Sequence, residues 1–418
     1  MPCPSPKDIV IVGYDMVTPL GAELPAEWEA FAAGASGVDW IHRYAVPETD
    51  DVRVSGEVPR IAPTAFDFFN ERDEANWFSP VIFHSMLVAK RALEHAGVVI
   101  TPDTAHRVAT TFSSAIGGLD AMIGAEAKLR EGKTPHPFTN PNGCLNLVGG
   151  KVSILTGAKG PIFSPVAACA TGAASVASAA MLLDAGRADV VIAGACDFPV
   201  IRSLLAAFAS MNGAFRSLKP TDRAFADPTK VSRPFSGDRK GFVVSEGAAA
   251  LIVTTRAYAE AGGLPVRAVI EGIGMTSDAK HYVAPSLPTI TACINDALRD
   301  AGRSPADIEA INAHAASTNV GDSIEVSAIT GIFGKNAPAV VANKSQIGHT
   351  MGASSAIELI LSIEGMTKGV LLPTLNFEQD DTLDMLDISP TPRRHEHHMV
   401  LSNSFGFGGC NVCLVVSA

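Results

Sequence analysis

From one end to the other the chain alternates short, β-branched apolar runs with longer stretches of helical periodicity, and no other feature narrows the choice of fold as far. Residues 9–12, 107–112, 190–194 and 249–254 have the length and composition of buried strands, as do 266–273, 308–313, 340–343 and 399–402. Residues 79–95, 170–183, 288–301 and 352–366 read as helices. This alternation predicts an α/β fold, a mostly parallel sheet covered by helices on both faces.

The pattern also repeats. Val10-Ile-Val-Gly13-Tyr-Asp-Met16 echoes Val269-Ile-Glu-Gly272-Ile-Gly-Met275, a strand running into a glycine and then a methionine. Cys169-Ala-Thr-Gly172-Ala-Ala-Ser175 echoes His349-Thr-Met-Gly352-Ala-Ser-Ser355, and each opens a helix. The common order of the two echoes predicts a duplicated architecture with a break near 258–265. A pseudo-twofold axis would then bring the two helix starts, and so Cys169 and His349, together.

Hydrophobic residues make up 47% of the chain and charged residues 18%, a composition that buries a large core. The net charge of −11 disfavours non-specific binding to nucleic acid. No secretory signal is visible and no apolar run is long enough to span a bilayer, so a cytoplasmic protein without a membrane partner is expected. Seven cysteines at irregular spacing point to free thiols in a reducing compartment. Cys410 and Cys413 form a C-x-x-C on a predicted strand, where residues three apart face opposite ways, which argues against a metal or redox role. His395, His397 and His398 read as a solvated loop, and no metal is expected.

Three segments carry chemistry. Cys169 sits where an apolar segment gives way to small residues that start a helix. Unpaired N–H groups and the positive end of the helix dipole act on a thiol placed there, and they lower its pKa from about 8.5 to roughly 3.5–7.5. His314, in Ala313-His314-Ala315-Ala316-Ser317-Thr318, and His349 both follow a strand, at the sheet edge where α/β proteins bind ligands. Glu325 could pair with Lys344 and hold the His314 loop. In Asn403-Ser-Phe405-Gly406-Phe407-Gly408-Gly409-Cys410-Asn411, alternate glycines suit a sharp turn that offers N–H groups, although a plain hairpin has the same composition.

Taken together, these segments resemble the β-ketoacyl-acyl carrier protein synthases, condensing enzymes of the thiolase fold, and most closely the elongating type. The likeness spans nearly the whole chain, including 10–20, 112–118 and the run Arg233-Pro-Phe-Ser-Gly-Asp-Arg-Lys-Gly-Phe-Val-Val-Ser-Glu-Gly-Ala248. It implies an α/β fold of thiolase-like duplicated βαβαβαββ halves, layered α-β-α-β-α. Residues 1–260 would carry the nucleophile and 261–418 both histidines. The implied enzyme is an acyltransferase: a decarboxylative Claisen condensation joins an acyl thioester to malonyl-acyl carrier protein, in fatty acid or polyketide and polyene synthesis.

By position, Cys169 would accept the acyl group, and His314 and His349 would bind the malonyl thioester carbonyl, supported by Lys344 and Glu325. The N–H groups of Cys169 and Phe405 would form the oxyanion hole, with the Phe405 ring as gate. Ile116, Thr318, Phe405 and Phe407 would contact substrate. No cofactor is implied, because the substrates ride on the phosphopantetheine of an acyl carrier protein. The partners implied are that carrier and a second subunit, identical or ketosynthase-like, with 160–168 as a strand for cross-subunit pairing.

Four departures from the family pattern stand out. Ala316 and Val283 replace threonines that touch the pantetheine arm. Residues 70–76 carry one arginine among acids where a basic carrier-docking helix is usual, leaving Lys128, Arg130 and Arg216 as alternatives. Residues 138–142 are more polar than the usual acyl-pocket segment. Two other readings remain: a non-catalytic, chain-length-factor-like partner subunit, and a thiolase using Cys410 as a second cysteine. Acyl length and pathway are open.

Overall fold

A computed structural model describes residues 9–216, 227–334, 337–379 and 386–418; Cys3 lies outside them. Ten strands form one sheet: β1 (Ile9–Val17), β2 (Val108–Ser113), β3 (Val190–Asp197), β4 (Gly247–Thr255), β5 (Ala268–Ser277), β6 (Ala310–Asn312), β7 (Ala339–Val341), β8 (Asp387–Ile388), β9 (Met399–Gly406) and β10 (Cys410–Ser417). Their spatial order is β8-β7-β6-β9-β10-β5-β1-β4-β3-β2. Six helices pack on it: α1 (Pro80–Ala96), α2 (Leu145–Thr156), α3 (Thr171–Asp184), α4 (Leu287–Ala301), α5 (Asn319–Phe333) and α6 (Ser354–Lys368).

The sheet is mixed, not mostly parallel as the alternation predicted. β1–β4, β3–β4, β1–β5, β5–β10 and β9–β10 pair antiparallel, whereas β2–β3, β6–β7, β6–β9 and β7–β8 pair parallel. The last strand of each half returns antiparallel beside the first, in the second half by a direct hairpin, a connection that composition does not reveal.

The two halves repeat one topology. In the first, β1-β4-β3-β2 run anti-, anti- and parallel; in the second, β5-β10-β9-β6 do the same. They join where Val10 faces Val269 and Ile11 faces Ala268. Val10 and Val269 are the residues that open the first echo, so the pseudo-twofold axis passes through their pair.

Strand periodicity builds the layers. Ile9 and Ile11 enter a central core with α3 and α6, whereas Val10 and Val12 face α1 and α2. In the second half Val400, Val412 and Leu414 reach the same central core, while Leu401, Cys413 and Val415 face α4 and α5. Helix, half-sheet, paired helices, half-sheet, helix is thus the order of layers. Two glycines let the outer helices close in. A Cβ on Gly13 would lie 2.4 Å from the Ala96 nitrogen, and one on Gly272 would lie 2.4 Å from that of Ala301. Each of those alanines ends its helix before a left-handed glycine, Gly97 or Gly302.

Candidate active site

The central helices meet at their N-termini. The Ala173 N–H donates to Ser355 Oγ at 2.9 Å, and a Cβ on Gly172 would sit 2.6 Å from the Ala356 nitrogen. Each helix is preceded by a single tight turn, Ala168–Ala170 and Met351–Ala353, whose first residue has positive φ, 48° for Ala168 and 50° for Met351. This geometry corrects the second echo. Cys169 is the structural counterpart of Gly352, not of His349, which lies three residues earlier. The match of glycines drew the alignment to the wrong register, and the backbone turn sets the true one.

Cys169 is buried in its turn. Thr171 Oγ1 accepts the Ala167 N–H at 3.0 Å and donates to the Ala168 carbonyl at 2.7 Å, closing the loop around the thiol. The expected low pKa is not found. Burial pushes the Cys169 thiol up to about 11, against the opposing pull of Lys344 and of the Phe407 N–H. Desolvation outweighs the helix start here because the thiol is cut off from water.

The N–H that reaches the sulfur belongs to Phe407, not to Phe405. The β9–β10 hairpin turns at Phe407, with Gly408 and Gly409 at φ of 84° and 75°, so the glycines do build a hairpin, one whose Phe407 N–H reaches Cys169. Only glycine fits at 406, where a Cβ would lie 2.3 Å from the Ala167 carbonyl oxygen. Phe405 lies within β9 opposite Asn411, and its ring is 5.7 Å from that of His314. Phe407, like Ile116, packs on an apolar cluster containing Phe208, Phe242, Ala316 and Met351.

His314 and His349 do converge: their rings stand edge to face with centroids 5.6 Å apart. The His349 backbone bridges Val243 O and Ser245 N at 2.7 and 2.9 Å, and its Nδ1 lies 2.9 Å from Ser354 Oγ. Burial first, and Lys344 second, hold both imidazoles well below the usual range, so both are neutral at physiological pH.

Lys344 and Glu325 do not pair. Lys344 Nζ donates to Glu358 Oε1 at 2.6 Å, with the lysine side chain 1% exposed. Glu325 instead accepts the His314 and Ala315 N–H groups at 2.9 and 2.7 Å and Asn403 Nδ2 at 3.1 Å. Burial raises both carboxyls to about 7. Glu358 escaped sequence reading because it sits amid the apolar stripe of α6; a charge at a core-facing helical position was the available signal. Thr318 is committed as the N-cap of α5, accepting the Gly321 N–H at 3.2 Å.

The sequence reading also missed Asp197, the last residue of β3. It is fully buried and accepts N–H groups from Ala115, Ile116 and Gly352 and the Ser114 hydroxyl. Burial raises its carboxyl to about 6.

Comparison with known proteins decides the family. The β-ketoacyl synthase N-terminal domain model matches residues 6–259 and the C-terminal domain model matches 267–378. The chain belongs to the β-ketoacyl synthase family. It is 34% identical to 3-oxoacyl-[acyl-carrier-protein] synthase 2 of Rhizobium meliloti over 98% of both chains. It is equally similar to the Staphylococcus aureus protein of that name, again over 98% of each. A solved β-ketoacyl synthase from Burkholderia phymatum superposes with a TM-score of 0.90 at 27% identity, covering 98% of this chain and 99% of that one. The ishigamide ketosynthase/chain length factor gives 0.85 at 26%, covering 98% of each.

Other features of this synthase bear on the departures noted in its sequence. Ala316 lies in the apolar cluster with Ile116 and Phe407. The Val283 N–H is held by His281 Nδ1 at 3.0 Å. The acidic segment at 70–76 is a short helix, Glu71–Asn76, closed by a capping box from Asn70. Arg130 pairs with Glu126 and Arg216 with Asp51, so neither presents an uncompensated charge. Among the described residues no helix is long and apolar enough to cross a membrane.

Proposed function

We propose that this β-ketoacyl synthase joins an acyl thioester to a malonyl unit, both delivered on an acyl carrier protein, without a cofactor. The observation that carries the reading is that the end of β9 joins the pieces: Gly406 packs on the Cys169 turn and Phe405 on His314, whose ring meets that of His349. Cys169 receives the Phe407 N–H, and Lys344 acts on both the thiol and the neutral His314–His349 pair.

The Cys169 sulfur attacks the acyl carbonyl, and the N–H groups of Cys169 and Phe407 receive the oxyanion. The carbon–sulfur bond to pantetheine then breaks, and the departing sulfur takes the thiol proton. Covalent capture keeps the acyl group at thioester energy and splits one condensation into two steps. In the second step the bond between the malonyl methylene and its carboxylate breaks, carbon dioxide leaves, and the electron pair forms an enolate. With Ser354 donating to His349 Nδ1, the ring carries its proton on Nε2, where it donates to the enolate oxygen; His314 donates beside it. Each such donor contributes on the order of 3–4 kcal/mol to a developing oxyanion. The enolate carbon attacks the acyl-Cys169 carbonyl and expels the sulfur, which recovers a proton.

Release of carbon dioxide from a malonyl thioester tests the second step. His314→Ala and His349→Ala should each slow it at least about a hundredfold. Unaltered release in both would overturn the reading. The non-catalytic alternative requires that Cys169 take no acyl group at all.

The proposal includes a dimer. Ile162 pairs with Thr110 at the end of the first half-sheet, and Ile162, Phe163 and Val166 are exposed there. A second copy or a ketosynthase-like chain would cover this edge; native mass spectrometry of the purified chain alone separates the two.

A further inference from the structure

Asp197 has a job that the reaction steps do not assign. Four donors converge on one buried carboxylate: the Ala115, Ile116 and Gly352 N–H groups at 3.1, 2.9 and 2.8 Å, and the Ser114 hydroxyl. Ser114 Oγ in turn accepts the Gly117 N–H at 2.7 Å, so the whole 114–117 turn is ordered around the acid. The turn projects Ile116 into the apolar cluster that also holds Phe407. Gly352 is the counterpart of Cys169 in the other half. A Cβ there would lie 2.7 Å from Asp197 Oδ2 and 3.0 Å from both the Ala115 and Thr171 Cβ atoms. Thr171 closes the nucleophile turn. One carboxylate therefore ties the Ile116 turn to the second central turn, and that turn is packed on the one that carries Cys169.

We propose that Asp197 is a positioning residue that sets acyl-chain selectivity by fixing the distance between the Ile116 turn and the nucleophile. The inference rests on the ketosynthase reading, in which the acyl chain lies beside Ile116. It separates the two half-reactions. Acyl transfer to Cys169 depends on the clamp. Malonyl decarboxylation depends on it less, because Val243 and Ser245 hold the His349 backbone from another segment.

Asp197→Asn preserves size but, whichever way the amide turns, sets its NH2 against at least one backbone N–H, so the 114–117 turn or the Gly352 turn must shift. The experiment measures acylation of Cys169 by short, medium and long straight-chain pantetheine thioesters, with malonyl decarboxylation as a second readout. The ratio of kcat/KM between the best and worst chain lengths should shrink by about tenfold, the effect of misplacing about one methylene of pocket wall. Decarboxylation should fall by less than about threefold, and Asp197→Glu should move the preferred length without abolishing the preference. A uniform loss across all chain lengths, or an unchanged ratio, overturns the inference. If Asp197→Asn does not fold, Ser114→Ala removes one donor and should narrow the ratio in the same direction, whereas an unchanged ratio there overturns it. Failure of the wild-type protein to take any acyl group sinks the ketosynthase reading itself, and that arm is read first.

Discussion

Single residues at this site are governed more by burial than by the helix ends they adorn. The Cys169 thiol is held at about 11, so at neutral pH it is protonated. Its thiolate fraction should grow about tenfold per pH unit, and alkylation by iodoacetamide should follow with a slope near one from about pH 7 to about 9. A plateau below about pH 8 would show that the dipole prevails over desolvation. The Lys344–Glu358 pair makes a second residue-level case. Glu358→Gln leaves a buried ammonium without its counter-charge and should cost about 3–5 kcal/mol in urea denaturation. Replacing both by methionine should recover all but about 1–2 kcal/mol of that while lowering condensation activity. The partner of Lys344 was not legible in the sequence: Glu325 and Glu358 are both acids at helical positions, and only the packing of α6 distinguishes them.

Elements are held at their crossing points by residues too small to matter on a surface. Gly172→Ala would press a methyl into the α6 backbone at Ala356 and should destabilise by about 1–3 kcal/mol. Gly331→Ala, in α5 with nothing within 4 Å of the added carbon, should stabilise by about 0.5–1 kcal/mol. Thermal melts of the two variants should move in opposite directions; a common direction would contradict the crossing geometry. At this scale most of the fold could be read in advance. The predicted strand at 190–194 lies within Val190–Asp197, and the predicted helix at 288–301 lies within Leu287–Ala301. Strand direction could not be read, because an apolar run buried on both faces looks the same parallel or antiparallel. Nor could the register of the second echo, which is set by the positive φ of Ala168 and Met351 rather than by residue type. The Phe405–Phe407 choice failed for a related reason: two phenylalanines, each beside a glycine, differ only in which one the hairpin turn presents to Cys169.

Several titratable groups of the molecule sit where water does not reach. Glu27, held at about 8, and Glu325 and Glu358, at about 7, bind protons in the folded state that the unfolded chain has already released. Their burial therefore costs stability at high pH, and that cost falls as pH drops from about 9 to about 4.5. Below about 6.5 the unfolded chain's histidines take up protons that buried His84, His314 and His349 refuse, which opposes the continuing gain from the carboxyls. The urea midpoint should rise as pH falls from about 9 to about 7 and then level off, and a midpoint that climbs steadily from about pH 7 to about 9 would contradict this balance. All of these expectations concern one proposed arrangement, in which a thiol from the first half works with two imidazoles from the second. The most direct test is peptide mass spectrometry after incubation with an acyl-carrier thioester, followed by addition of malonyl-carrier. The account predicts that the acyl mass appears on the peptide containing Cys169 and is discharged as a β-ketoacyl thioester once malonyl is supplied. An unmodified Cys169 peptide, or an acyl group that stays on it in the presence of malonyl-carrier, would contradict it.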